Sequence, residues 1–126
     1  MNTLSCSLFF SYIVVSLFFG IFVGATAFKP RFQKNYTSIT VALWTDIDLK
    51  CSAIADPYPV YEWTKNSSIE DGGVVIKSGH VHSIFKDNLQ IKNISWSHGG
   101  SYFCNAFNSE GSEVKEFVLK VRRKYI

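Results

Sequence analysis

No charged side chain precedes Lys29. Residues 8–23, LFFSYIVVSLFFGIFV, form an apolar run that gives way to the small-residue triplet Ala25-Thr26-Ala27. Such a run ending in an A-x-A triplet has the pattern of a secretory leader, here residues 1–27, with cleavage expected after Ala27. The same stretch lacks Lys and Arg, and its length approaches that of a membrane span. Retention as a signal anchor is therefore the competing reading, and the placement of the triplet favours cleavage.

Cysteine is scarce, with three in all, and Cys6 lies in the leader. Cys51 and Cys104 remain as an even pair on a chain routed to an oxidising compartment, where such a pair is expected to be bonded. That leaves no free thiol for nucleophilic catalysis, and no G-x-S-x-G elbow is present to present a serine. The expectation is a protein that is not an enzyme and carries no cofactor. Histidine is also sparse. His80 and His82 alternate onto one strand face, with His98 a candidate for the same end of the fold, but zinc would want a further ligand and a supporting shell, so no metal site is expected. A pH-sensitive contact through His98 is a second reading of the same residues. The net charge of +3 is too small for a nucleic-acid partner. Internal repeats, heptads, low-complexity tracts, a second hydrophobic span and lipid-anchor signals are all absent.

Any long helical period is missing too; short alternating runs take its place. Ile47, Leu49 and Cys51 alternate with Asp48 and Lys50, and Tyr61 and Trp63 with Glu62 and Thr64. Leu89 and Ile91 alternate with Gln90 and Lys92, and Tyr102, Cys104 and Ala106 share one face of residues 101–107. A last run spans residues 114–121. Each pattern predicts a strand with one buried and one wet face. Turn chemistry separates them at Asp56-Pro57-Tyr58-Pro59, Asn66-Ser67-Ser68, Asp71-Gly72-Gly73 and Ser97-His98-Gly99-Gly100. Short strands with regular turn signals predict an all-β sandwich or barrel.

From Cys51 the chain reads CSAIADPYPVYEWTK, and from Leu89 it reads LQIKNISWSHGGSYFCNAFNSEG. This spacing of Cys51, Pro57, Pro59, Tyr61 and Trp63, then Gly100, Tyr102, Cys104, Ala106, Asn108 and Gly111, resembles the I-set domains of the immunoglobulin superfamily. The resemblance covers residues 28–122, leaving 123–126 as a basic tail. It implies an immunoglobulin-like Greek-key β-sandwich in which a Cys51–Cys104 disulfide crosses between sheets and Trp63 covers it. It also implies a tyrosine corner at Tyr102, whose hydroxyl bonds backbone near the preceding turn, with Gly100 leaving room for the ring. Two departures stand out. His98 occupies the position where the family pattern has Asp, and residues 74–85 contain no Arg to pair with it, so that end of the sandwich must close differently. Trp44 stands where a small or polar turn residue is usual, and is either folded over the adjacent strand or exposed for contact.

Asn35-Tyr36-Thr37, Asn66-Ser67-Ser68 and Asn93-Ile94-Ser95 are acceptor sequons, so Asn35, Asn66 and Asn93 are glycosylation candidates, the latter two foremost. Phe103 and Phe107 alternate outward from Tyr102 and Cys104 and are candidate contacts, unless other sequence covers them. Arg122, Arg123 and Lys124 are a candidate site for sulfated glycosaminoglycan or an acidic partner; the bland alternative is a solvated end or a juncture to further sequence. What the resemblance implies for function is a secreted or cell-surface binding or adhesion module with an extracellular protein partner, homophilic in some members, and no membrane span once the leader is cut. The first domain of a longer adhesion receptor or matrix protein, and a soluble growth-factor or defence binder, are the alternatives.

Overall fold

The structure is a computed structural model that describes residues 26–80 and 82–125. The predicted leader lies outside the described residues up to Ala25, and so does Ile126 of the tail. Among the described residues nine strands form in order: β1 (Phe28–Arg31), β2 (Tyr36–Ala42), β3 (Ile47–Lys50), β4 (Ile54–Asp56), β5 (Val60–Lys65), β6 (His82–Phe85), β7 (Asn88–Ile91), β8 (Gly100–Asn108) and β9 (Gly111–Arg122). One sheet has the order β2-β9-β8-β5 and the other β3-β7-β6, while β1 pairs with β4. Every pairing is antiparallel except β2 with β9, which run parallel. The hairpins β6-β7 and β8-β9 stay within a sheet, and the links β5 to β6 and β7 to β8 cross between sheets, as a Greek-key sandwich requires. Among the described residues the one helical element is a 3-10 turn, Trp96–His98, on the second crossing.

Alternation sets the inner faces. Tyr102, Cys104 and Ala106 are fully buried on β8, and Phe117 and Leu119 are buried on β9. Leu49, Leu89 and Ile91 close the core from the other sheet. Cys51 follows β3 and is bonded to Cys104 with Cα atoms 6.4 Å apart. Trp63 lies opposite Cys104 in the β5-β8 register and packs on Phe117 with ring centroids 5.4 Å apart. The indole is completely buried and stands at the centre of the cluster that contains both cysteines. Burying such side chains stabilises by about 1.5–3 kcal/mol each.

Tyr102 Oη donates to the His98 carbonyl at 2.7 Å, tying the first strand residues of β8 to the turn that feeds them. Burial pushes the Tyr102 phenol up to about 12, so it remains a neutral donor. Gly100 has a different role from the one expected. A Cβ there would meet Asn66 Oδ1 at 3.5 Å, an ordinary contact, and not the Tyr102 ring; the requirement for glycine comes from its φ of +127°. At the opposite pole, Asn108 Nδ2 donates to the carbonyls of Phe28 and Pro57, both at 3.0 Å, so one amide joins the β8-β9 turn to β1 and to the β4-β5 loop.

Candidate recognition surface

The register decides what the sheet shows to solvent. On the outer side of β2-β9-β8-β5, Val60 lies beside Phe107 and Ser112 and Glu62 beside Asn105 and Val114, while Thr64, beside Phe103 and Glu116, is itself buried where Val75 bridges to it. Tyr36 extends the last row at the β2 edge. Phe103 and Phe107 are half-buried, because neighbours on β5 and β9 flank them, whereas Val60 and Tyr36 at the sheet's two edges are exposed. The face therefore combines a central aromatic pair with apolar margins, interrupted by Glu62 and Glu116.

A second apolar feature adjoins it and was not anticipated from the sequence. A groove of about 520 Å³ is lined by Tyr58, Pro59, Val60, Tyr61, Lys86 and Asp87. Tyr58 is 92% exposed at its rim. Phe85, immediately before Lys86, is also exposed. Tyr61 Oη accepts the Ala53 N–H at 3.1 Å, and burial raises its pKa against the opposing effect of that bond. Ser52 Oγ donates to Asp87 at 2.6 Å, which holds the β6-β7 turn against the end of β3. The Pro-Tyr-Pro run signalled the loop; the lining arises from segments far apart in sequence.

At the other pole, Trp44 is 66% exposed, so its ring is not folded away over the adjacent strand. Its backbone, at a φ of 67°, is held by a bond from its N–H to the Ile94 carbonyl at 2.7 Å. Trp96 is exposed too. Arg122, Arg123 and Lys124 are all exposed, and the Arg122 guanidinium lies 5.6 Å from the Tyr125 ring centroid. Asn35, Asn66 and Asn93 are exposed, the latter two at positive φ in turns, so an attached glycan would point into solvent.

The structure brings His82 and His98 together with ring centroids 6.2 Å apart, while His80 is exposed. Among the described residues no group of three His, Cys, Asp or Glu side chains is gathered for a metal. His98 replaces an ion pair with a cap: its Nδ1 accepts the Ser95 N–H at 2.8 Å. Lys65 Nζ donates to the Ser97 carbonyl and lies 5.4 Å from the Tyr102 ring centroid. Burial lowers the pKa of Lys65, His82 and His98.

A family profile described as "Immunoglobulin domain" matches residues 29–108. Immunoglobulin superfamily member 10 of Rattus norvegicus is 34% identical over 94 residues, covering 74% of this chain and 4% of that protein. Neural cell adhesion molecule 1 of Gallus gallus is 31% identical over 101 residues, covering 75% of this chain and 9% of that one. The chain thus spans a small fraction of the length of these curated relatives. The crystal structure of the N-terminal four Ig domains of Dscam1 isoform 1.9 superposes with a TM-score of 0.71 at 25% identity, covering 82% of this chain and 27% of that one. With the matched profile, the sandwich topology and the Cys51–Cys104 bridge under Trp63, the chain belongs to the immunoglobulin superfamily as a single immunoglobulin-like domain.

Proposed function

We propose that this chain is an extracellular adhesion-type module that recognises a protein partner through the outer face of the β2-β9-β8-β5 sheet. The observation that carries this reading is the aromatic pair Phe103 and Phe107 on the solvent side of a sheet, continued by exposed Val60 and Tyr36 at its edges. A wet sheet face alternates to polar residues unless it is kept for contact, and aromatic side chains in such positions supply most of an interface's energy. The adhesion molecules among its relatives support the class of function. Reading the protein as a non-enzymatic binder rests on the same surface and on both described cysteines being bonded. The leader pattern of residues 1–27 and the disulfide support an extracellular location. No helix among the described residues is long and apolar enough to cross a membrane. The break between β1, paired with β4, and β2, paired parallel to β9, supports assignment to the I-set. Asn66 and Asn93 are the favoured glycan carriers, with Asn35 third, because each side chain is exposed.

The exposed cluster Arg122, Arg123 and Lys124 favours a second reading, capture of sulfated glycosaminoglycan. One experiment separates the two. The secreted chain is applied to cells with and without heparinase, beside the variants Phe103→Glu and Arg123→Glu/Lys124→Glu. Protein recognition predicts binding that survives heparinase and falls at least tenfold in Phe103→Glu while the melting temperature holds. Binding lost with heparinase and with the basic pair, but kept in Phe103→Glu, overturns it in favour of the glycosaminoglycan. Analytical ultracentrifugation of the chain alone reads out homophilic association through the same face.

A further inference from the structure

The cluster His82, His98 and Lys65 lies where two sheets and a crossing meet, and nothing in the recognition surface uses it. His98 ends the 3-10 turn; its Nδ1 accepts the Ser95 N–H at 2.8 Å and lies 3.2 Å from Ser95 Oγ. A nitrogen that accepts a main-chain N–H carries no proton, so the closed turn requires neutral His98. The His82 ring, from β6, meets the His98 ring edge-on at 89°. His82 Nε2 is buried without a hydrogen-bond partner, so a proton gained there finds no acceptor in the closed form. Lys65, from β5, adds a cation that acts on both rings.

The groups facing the pair from the other packed elements do not offset this. Tyr102 of β8 stays neutral below about 12. On β9, Leu119 and Val121 lie against the adjoining Gly99 and neither titrates. The charges acting on the two imidazoles are Lys65 on both and His82 on His98, all of one sign when protonated.

We propose that His82 and His98, with Lys65, form an acid-release latch: neutral rings close the β7-β8 crossing, and protonation of the pair opens it while the disulfide keeps the sheets joined. Opening begins at His98. Protonated Nδ1 sets an N–H against the Ser95 N–H, the turn loses its cap, and the His98 carbonyl that receives Tyr102 Oη is released with it. The sign follows from the lowered pKa of both rings, attributed first to burial. The unfolded chain then takes up protons at a higher pH than the folded one, so the contribution is complete above about pH 6.5 and is lost as pH falls from there through the lower folded values. Each ring titrating in that window weakens the closed state up to about tenfold per pH unit.

The test is amide hydrogen exchange of the oxidised protein between pH 7.5 and 5.0, corrected for the intrinsic rate, with unfolding measured over the same range. The expected result is at least tenfold loss of protection at Ser95 to Tyr102 on acidification, with amides of β3 and β7 unchanged. His82→Gln/His98→Gln should flatten the pH profile, and His80→Gln, an exposed control, should leave it as in the wild type. Uniform protection at Ser95 to Tyr102 across the range, or an unchanged profile in the double variant, overturns the latch. Should the double variant fail to fold, NMR titration of the wild-type rings decides: both midpoints below 6.5 support it, and either at or above 6.5 overturns it.

Discussion

Tyr102→Phe removes one oxygen atom and leaves the ring in place, which makes it a clean probe of how β8 is tied to the crossing before it. The wild-type hydroxyl donates to the His98 carbonyl at 2.7 Å from a fully buried side chain. Losing a neutral hydrogen bond costs about 1 kcal/mol, and stranding the partly buried carbonyl brings the total to roughly 1–3 kcal/mol. The cavity left is one oxygen in size, so packing adds little. In a domain of this length each kcal/mol shifts the melting temperature by roughly 4–8 °C, so the variant should melt about 10 °C lower. Denaturant unfolding at pH 7.5, with unchanged m-value, is the assay. A loss under about 0.5 kcal/mol would show that water replaces the hydroxyl and that the bond does not hold the turn. A double-mutant cycle with His98→Ala should show coupling above about 0.5 kcal/mol, because the two changes act on one hydrogen-bonded turn.

Trp63→Ala should cost about 3–5 kcal/mol as the truncation of a fully buried aromatic at the centre of the core; a cost below about 1 kcal/mol in equilibrium unfolding would place the indole outside it. Cys104→Ser opens a loop with a sequence separation of 53, worth roughly 4 kcal/mol in the chain-entropy treatment. That approaches the whole stability of a small domain, so the variant should be retained in the secretory pathway, and secretion at the wild-type level would contradict the reliance on the bridge.

Period-two alternation was legible wherever one strand face was fully buried. Tyr102, Cys104 and Ala106 on β8 and Leu49 beside Cys51 read directly, and the family spacing placed Trp63 on the bridge. β1 and β2 did not read as strands. Pro30 breaks the pattern in β1, and most of β2 lies at a sheet edge, where Ser38 and Thr40 face solvent and Ile39 is half-buried. Alternation also sent Phe103 and Phe107 outward without showing that β5 and β9 would half-cover them, since burial on an outer face depends on cross-strand neighbours. The groove beside Tyr58 was hidden for a related reason: it joins segments far apart in sequence that meet only in space, whereas the nearness of His98 to His82 was a sequence expectation and only their ring contact was not. His98 itself was legible as a departure. Its replacement for the missing ion pair, a backbone cap backed by a second imidazole, depends on the three-dimensional path of the turn.

The most direct test of the central claim, an immunoglobulin-like domain pinned by Cys51–Cys104 and proposed to be exported, is a thiol count. Protein secreted from mammalian cells is denatured without reductant, alkylated and weighed intact after glycan removal. The prediction is a chain beginning at Phe28 with no alkyl group added, the two remaining cysteines being joined. One added group would mean that Cys6 and the leader are retained, and labelling of both Cys51 and Cys104 would contradict the bridge on which the fold, its compartment and its stability depend.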